Sequence, residues 1–224
     1  MLSFLCKCCI IISTLLGVSL HLGDVSHFAN KLSQFSTLIS LAAGFFYLYW
    51  ARASIRGEEL ENTRGFLCTR LALLLGVLTA GIVYHAVLAP AAAPKGAQLL
   101  ATHLMHSVAP AAMLIDYLAF ARKGRWTWNM LPYVLAAPAI YLIYLFIYKL
   151  CGGAFPLCSA DSAVPYFFLS VKNLGFPGVL TWCAAIAAGI LAVGALLIFL
   201  DHKLAKPEPK LSKLTASLFG KQSR

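Results

Sequence analysis

Charge is what this sequence has least of. Of its 224 residues 12% are Asp, Glu, Lys or Arg, against roughly 25% in a soluble domain, which excludes an ordinary water-soluble enzyme. Carboxylates are scarcest, 8 Asp+Glu beside 18 Lys+Arg. Disordered composition is absent too, since 60% of the chain is hydrophobic. No internal repeat occurs, nor a matched pair of interrupted hydrophobic segments of the kind that marks transporters. The seven cysteines show no zinc-finger spacing, and their number alone makes no disulfide framework.

What remains is apolar. A bilayer-spanning helix needs roughly 20 apolar residues, and six stretches qualify, at residues 2–22, 34–51, 66–89, 98–120, 129–148 and 174–200. They predict an all-α polytopic protein with a six-helix transmembrane domain over 1–204 and a basic cytoplasmic tail over 205–224. The first stretch has the length of a signal peptide but no A-x-A cleavage site, so it reads as a span. Thirteen Lys and Arg fall in the termini and the even-numbered loops, and only Lys31, Lys95, Lys149 and Lys172 on the other side. By the positive-inside rule both termini are cytoplasmic. Topology, rather than nucleic acid, thus accounts for the net charge of +10. The membrane is the cytoplasmic one in a bacterium, and an organelle or plasma membrane in a eukaryote.

Trp50, Trp126 and Trp128 fall at inner span ends, and Tyr148 and Trp182 near outer ends, as in an aromatic belt. Leu211, Leu214, Leu218 and Phe219 recur at helical spacing among tail lysines, which fits either a short interfacial helix or a solvated tail. The outer loop at 149–173 carries Cys151 and Cys158, a disulfide or two free thiols depending on compartment. Cys6, Cys8 and Cys9 read as packing residues.

Polar groups within spans are costly and point to function. Five of the six histidines (His21, His27, His85, His103, His106) fall in the outer half. His103 and His106 are three residues apart and share one helix face. Thr37 opens the second span, close to their depth. Pro110 removes the helix partner of the His106 carbonyl, which predicts a distorted helix and a polar opening there; a simple interhelical hydrogen bond is the other reading of His106. Arg70 and Asp116 share a depth near the inner face and read as a structural pair. Tyr141, Tyr144 and Tyr148 form a stripe that either packs or lends a phenol to the site.

The run Gln34-Phe35-Ser36-Thr37-Leu38-Ile39-Ser40-Leu41, the turn from Gly81-Ile82-Val83-Tyr84-His85 to Pro90, and His103-Leu104-Met105-His106-Ser107-Val108-Ala109-Pro110 follow in order. Leu114-Ile115-Asp116-Tyr117 and Pro165-Tyr166-Phe167-Phe168-Leu169 come after them. This series resembles the androgen-induced protein family of multi-pass membrane proteins and its bacterial relatives. The resemblance implies a threonine hydrolase of fatty acid esters of hydroxy fatty acids. It implies Thr37 as nucleophile, with Phe35 two positions before it, and His106 as base, with a lipid or fatty-ester substrate in the bilayer and no cofactor or metal. Ser36 competes with Thr37, Ser40 stands where the family has an acidic residue, and Pro110 follows His106 one position early for the animal proteins. His85, His103 and Tyr144 are candidates to orient the base or stabilise an oxyanion. Two other readings stay open: a zinc hydrolase on His85, His103 and His106, and a non-enzymatic lipid-binding or transport protein.

Overall fold

The computed structural model describes residues 1–23, 27–91, 94–156 and 163–205. Six helices are long and apolar enough to cross a membrane: α1 (Leu2–Leu22), α2 (Phe35–Ile55), α3 (Arg64–Leu88), α4 (Ala97–Phe120), α5 (Trp128–Leu150) and α6 (Val171–Lys203). No strand occurs among the described residues. The all-α, six-span expectation is met, with ends shifted by a few residues. α2, for example, continues past Ala51 until Gly57, whose φ of +75° stops the helix. The tail beyond 205 and Cys158 lie outside the described residues.

One end of the bundle gathers the basic loops. Arg125, between α4 and α5, donates to the Glu61 carbonyl and to Asn62 between α2 and α3. At the far end His21 meets Gln98, Tyr144 meets Ser33 and Tyr148 meets Asn30. Between the two ends, Ile10, Ala43, Leu71, Leu74, Val77, Met113 and Ile198 fill a buried centre. Phe45, Ile82, Ile140, Phe146 and Phe176 point outward and are more than half exposed. A lipid-facing surface needs no polar cover, so apolar residues outside and inside are the expected pattern for a membrane span.

Helices associate in lipid by close van der Waals approach at small residues. Gly44 of α2 provides this against α1: a Cβ there would stand 2.6 Å from Leu15 Cδ2 and 2.8 Å from Thr14 Oγ1. Lys7 of α1 lies over Trp50 of α2 as Thr14 lies against Gly44, so the two helices run antiparallel.

A polar knot lies near the basic end. Arg70 pairs with Asp116 at 2.7 Å, with side-chain exposures of 4% and 0%. Tyr47 donates to the same carboxylate oxygen at 3.1 Å. Trp50 faces both Arg70, at 4.5 Å, and Lys7, at 4.1 Å. Asp201 of α6 accepts the Trp126 backbone N–H and the Tyr117 hydroxyl, each at 2.9 Å. Lys123 donates to the carbonyls of Tyr117 and Ala121, and burial pushes its ammonium below the usual lysine range.

The pairing expected of Arg70 and Asp116 is therefore present. The belt position expected of Trp50 and Trp126 is not: both are buried, because their rings cover the cations and Tyr117 rather than meeting headgroups. Trp128 alone of the three is exposed. Cys6, Cys8, Cys9, Cys68, Cys151 and Cys183 are free thiols, Cys6 and Cys9 standing at C-x-x-C spacing on α1.

Candidate active site

Thr37 sits in the first turn of α2 and is fully buried. A helical hydroxyl usually bonds the carbonyl one turn back. Ser13, Thr14, Ser19, Ser54 and Thr181 all do so here. Thr37 does not; its Oγ1 is buried with no hydrogen-bond partner among the described residues. The carbonyl it would use, that of Ser33, instead accepts the Tyr141 hydroxyl at 3.1 Å. An unpaired buried hydroxyl costs about 1–3 kcal/mol, so this one is maintained against its own stability.

The tyrosine stripe of α5 holds the entry to α2. Tyr144 bonds the Ser33 hydroxyl at 2.7 Å and Tyr148 reaches Asn30 at 3.3 Å. The Phe35 ring meets Tyr141 edge-on at 5.2 Å, and its backbone N–H donates to Tyr166 Oη at 3.1 Å. An unsatisfied amide at the helix start is thereby capped. Tyr144 thus shapes the chain ahead of Thr37 and spends its phenol on Ser33. Ser36, the competing hydroxyl, is half-buried on a neighbouring face.

On α4 the backbone departs from α geometry where Pro110 predicts. Residues Leu104–Val108 form a π-turn, and the Ala109 N–H bonds back to the Leu104 carbonyl. π-turns recur at functional sites. The freed His106 carbonyl faces Gly81 of α3, where a Cβ would stand 2.7 Å from it. It is covered by a neighbouring helix rather than opened to water. Gly81→Ala would push on fixed backbone, and over-packing of this kind costs about 1–3 kcal/mol. A lowered melting temperature, with weaker covalent labelling of the site, is the expected result.

The His106 ring is held on two sides. Its Nδ1 lies 3.1 Å from the Thr102 carbonyl, which can only accept, so Nδ1 carries the proton and Nε2 is left basic. The ring lies on Tyr84, with centroids 4.4 Å apart. The orienting group sought in the sequence is thus a backbone carbonyl, invisible to any side-chain motif. His106 lines a shallow groove of about 470 Å³ together with His85, Gly81, Ile82, Leu78, Ala86 and Pro110. Thr37 is not among its walls.

The other candidates separate. His85 bonds Ser107 at 3.0 Å. His103 is exposed, while His106 is half-buried; the wide π-turn between them undoes the common face that α spacing predicts. Among the described residues no three His, Cys, Asp or Glu side chains come together as ligands for one ion, so His85, His103 and His106 do not converge.

One histidine that the sequence marks only by its depth in the outer half gains particular contacts in the structure. His21, in the last turn of α1, has Nδ1 3.2 Å from Gln98 Oε1, and its Nε2 is buried with no hydrogen-bond partner. A histidine at a span end carried no motif; only the packing of α1 against α2 and α4 reveals it.

No family model, curated protein or solved structure matches this chain. The fold and the site geometry therefore carry the functional argument, with the motif resemblance beside them.

Proposed function

We propose that this chain is an integral membrane hydrolase of lipidic carboxylic esters, of the fatty-acid-ester-of-hydroxy-fatty-acid type. Thr37 attacks the acyl carbonyl and a histidine, His106 in the family pattern, takes its proton and returns it to the leaving alkoxide. The observation that carries this reading is the Thr37 hydroxyl, buried and unpaired among the described residues, where Ser13, Thr14, Ser19, Ser54 and Thr181 bond a backbone carbonyl one turn back. A buried group left unsatisfied calls for an explanation, and a catalytic role is one such explanation. The fixed tautomer of His106 supports it, since a general base needs a free lone pair and Nε2 keeps one. The chemistry calls for no metal or cofactor.

A second reading, a lipid-binding or transport protein without catalysis, is favoured by one observation: the groove that His106 lines does not include Thr37. Covalent labelling with a serine/threonine-directed phosphonate separates the two. A hydrolase reacts at Thr37, and a lipid-binding protein does not.

Orientation is inferred from charge. The basic end is cytoplasmic by the Lys/Arg asymmetry, so single cysteines at Arg56 and Lys95 should label from opposite sides of sealed vesicles. Labelling of both from one side would overturn the six-span topology in the membrane.

A further inference from the structure

Two polar atoms at the far end lack partners, and they are chemically complementary. Gln98 fixes the state of the first. Its Nε2 donates to the His21 carbonyl at 3.3 Å, and because a carbonyl only accepts, the amide orientation is set. Oε1 therefore faces His21 Nδ1, which must carry the hydrogen. The neutral ring is left with a lone pair at Nε2 that accepts no hydrogen bond of good geometry among the described residues. The second is the Thr37 hydroxyl, a donor with nothing to donate to.

The helix register brings the two together. Gly44 of α2 lies against Thr14 of α1. Thr37 is seven residues before Gly44, and His21 is seven residues after Thr14. Seven residues are close to two full turns, or about 10 Å of rise. In antiparallel helices both steps run toward the same end, and each returns to the face that makes the contact. Thr37 and His21 therefore stand opposite one another across the α1–α2 seam. Gln34, at the start of α2 and one turn before Thr37, is a hydrogen-bonding neighbour of the same imidazole.

His106 is placed differently. A Cβ on Gly17 of α1 would stand 2.7 Å from Met105 Cγ, so Met105 is the residue of the π-turn that faces α1. The next residue, His106, is turned toward Tyr84 of α3.

We propose that His21 is the base that takes the Thr37 proton. The assignment rests on the ester-hydrolase reading and changes the identity of its base. The Thr37 Oγ–H proton passes to His21 Nε2 as the Oγ–acyl bond forms. The ester C–O bond breaks, and the imidazolium gives the proton to the departing alkoxide. Water then attacks the acyl-threonine, losing one proton to Nε2. The acid leaves, and that proton returns to Thr37. His21 lies in the last turn of α1 and Thr37 in the first turn of α2, so the reacting carbonyl sits near the headgroup boundary. That is the depth of an acyl-ester linkage rather than of an acyl chain. His106 then lines the apolar groove that receives the chain.

The test has a geometric arm and a chemical arm, both on the full chain in membranes. In the first, His21→Cys with Thr37→Cys is treated with a short bifunctional thiosulfonate, and mass spectrometry identifies the linked peptides. A 21–37 link is expected; its absence in a chain that melts like wild type overturns the proposal. In the second, His21→Asn keeps a donor for Gln98 Oε1 and deletes Nε2. Labelling by the phosphonate probe should slow by about 10²–10⁴-fold, the usual contribution of a general base. Wild-type labelling of His21→Asn alongside loss in His106→Asn would overturn the His21 assignment and leave the threonine hydrolase standing. If wild type and Thr37→Val are equally inert to the probe, the hydrolase reading and the base role fall together, and a 21–37 link then records only a polar contact.

Discussion

Thr37→Val should abolish ester hydrolysis and covalent labelling while the protein folds as well as wild type, or better. Valine keeps the shape of threonine and deletes a hydroxyl that has no partner in the resting structure. Removing an unsatisfied buried polar group in favour of an apolar one of the same shape is neutral to stabilising, so the melting temperature should hold or rise. That opposition, stability up and activity lost, distinguishes a reactive group from a structural one. Thr37→Ser retains the oxygen and should retain measurable turnover. Ser36→Ala should be mild, because Ser36 is half-buried on another face. Residues that act in one proton-transfer step are not additive, so adding a base deletion to Thr37→Val should cost little more. Hydrolysis of lipid esters by membranes containing each variant, normalised to folded protein, makes the measurement. An inactive Ser36→Ala beside an active Thr37→Val would move the nucleophile by one residue.

Asp116→Asn should have the opposite profile. Asp116 is fully buried, 2.7 Å from Arg70, and neutralising it strands a guanidinium in the bundle interior. Breaking a buried pair by removing one partner typically costs about 3–5 kcal/mol. The Trp50 ring at 4.5 Å offsets part of that, since cation–π contacts are worth about 0.5–2 kcal/mol. Folded yield and melting temperature should fall, while turnover per folded molecule stays within a few-fold. Arg70→Met combined with Asp116→Leu should be less harmful than either single charge deletion, because a buried pair exchanged for apolar residues is often neutral. Complete loss of turnover with unchanged melting would put the reactive site at the basic end.

The parts of this molecule legible in its sequence follow from composition and spacing. Six apolar runs predict six helices because lipid leaves the backbone no other partner. The pairing of Arg70 with Asp116 follows from equal depth, since neither charge is tolerable alone. Pro110 announces a backbone disturbance, although the π-turn and its cover by Gly81 required the neighbouring helix. Trp50 and Trp126 were misplaced because an aromatic at a span end satisfies the belt rule and a buried cation–π contact equally well. Lys7 and Asp201 carried no signal: each lies near a span terminus, where charge is ordinary, and only tertiary contacts bury them. His21 was legible only in its depth for the same reason. Its significance lies in an unmet valence at Nε2, which depends on what α2 and α4 place around the ring.

The reach of Asp201 has a consequence for how the protein is made. Its carboxylate satisfies the Trp126 amide and the Tyr117 hydroxyl, groups that leave the ribosome 75 and 84 residues earlier. Until α6 arrives, the Trp126 amide and the Tyr117 phenol of α4 lack this acceptor, and the stacked Tyr117 ring holds the indole. α6 therefore acts as a latch that closes only once residue 201 has been made. A chain halted before residue 201 lacks the carboxylate that both groups bond.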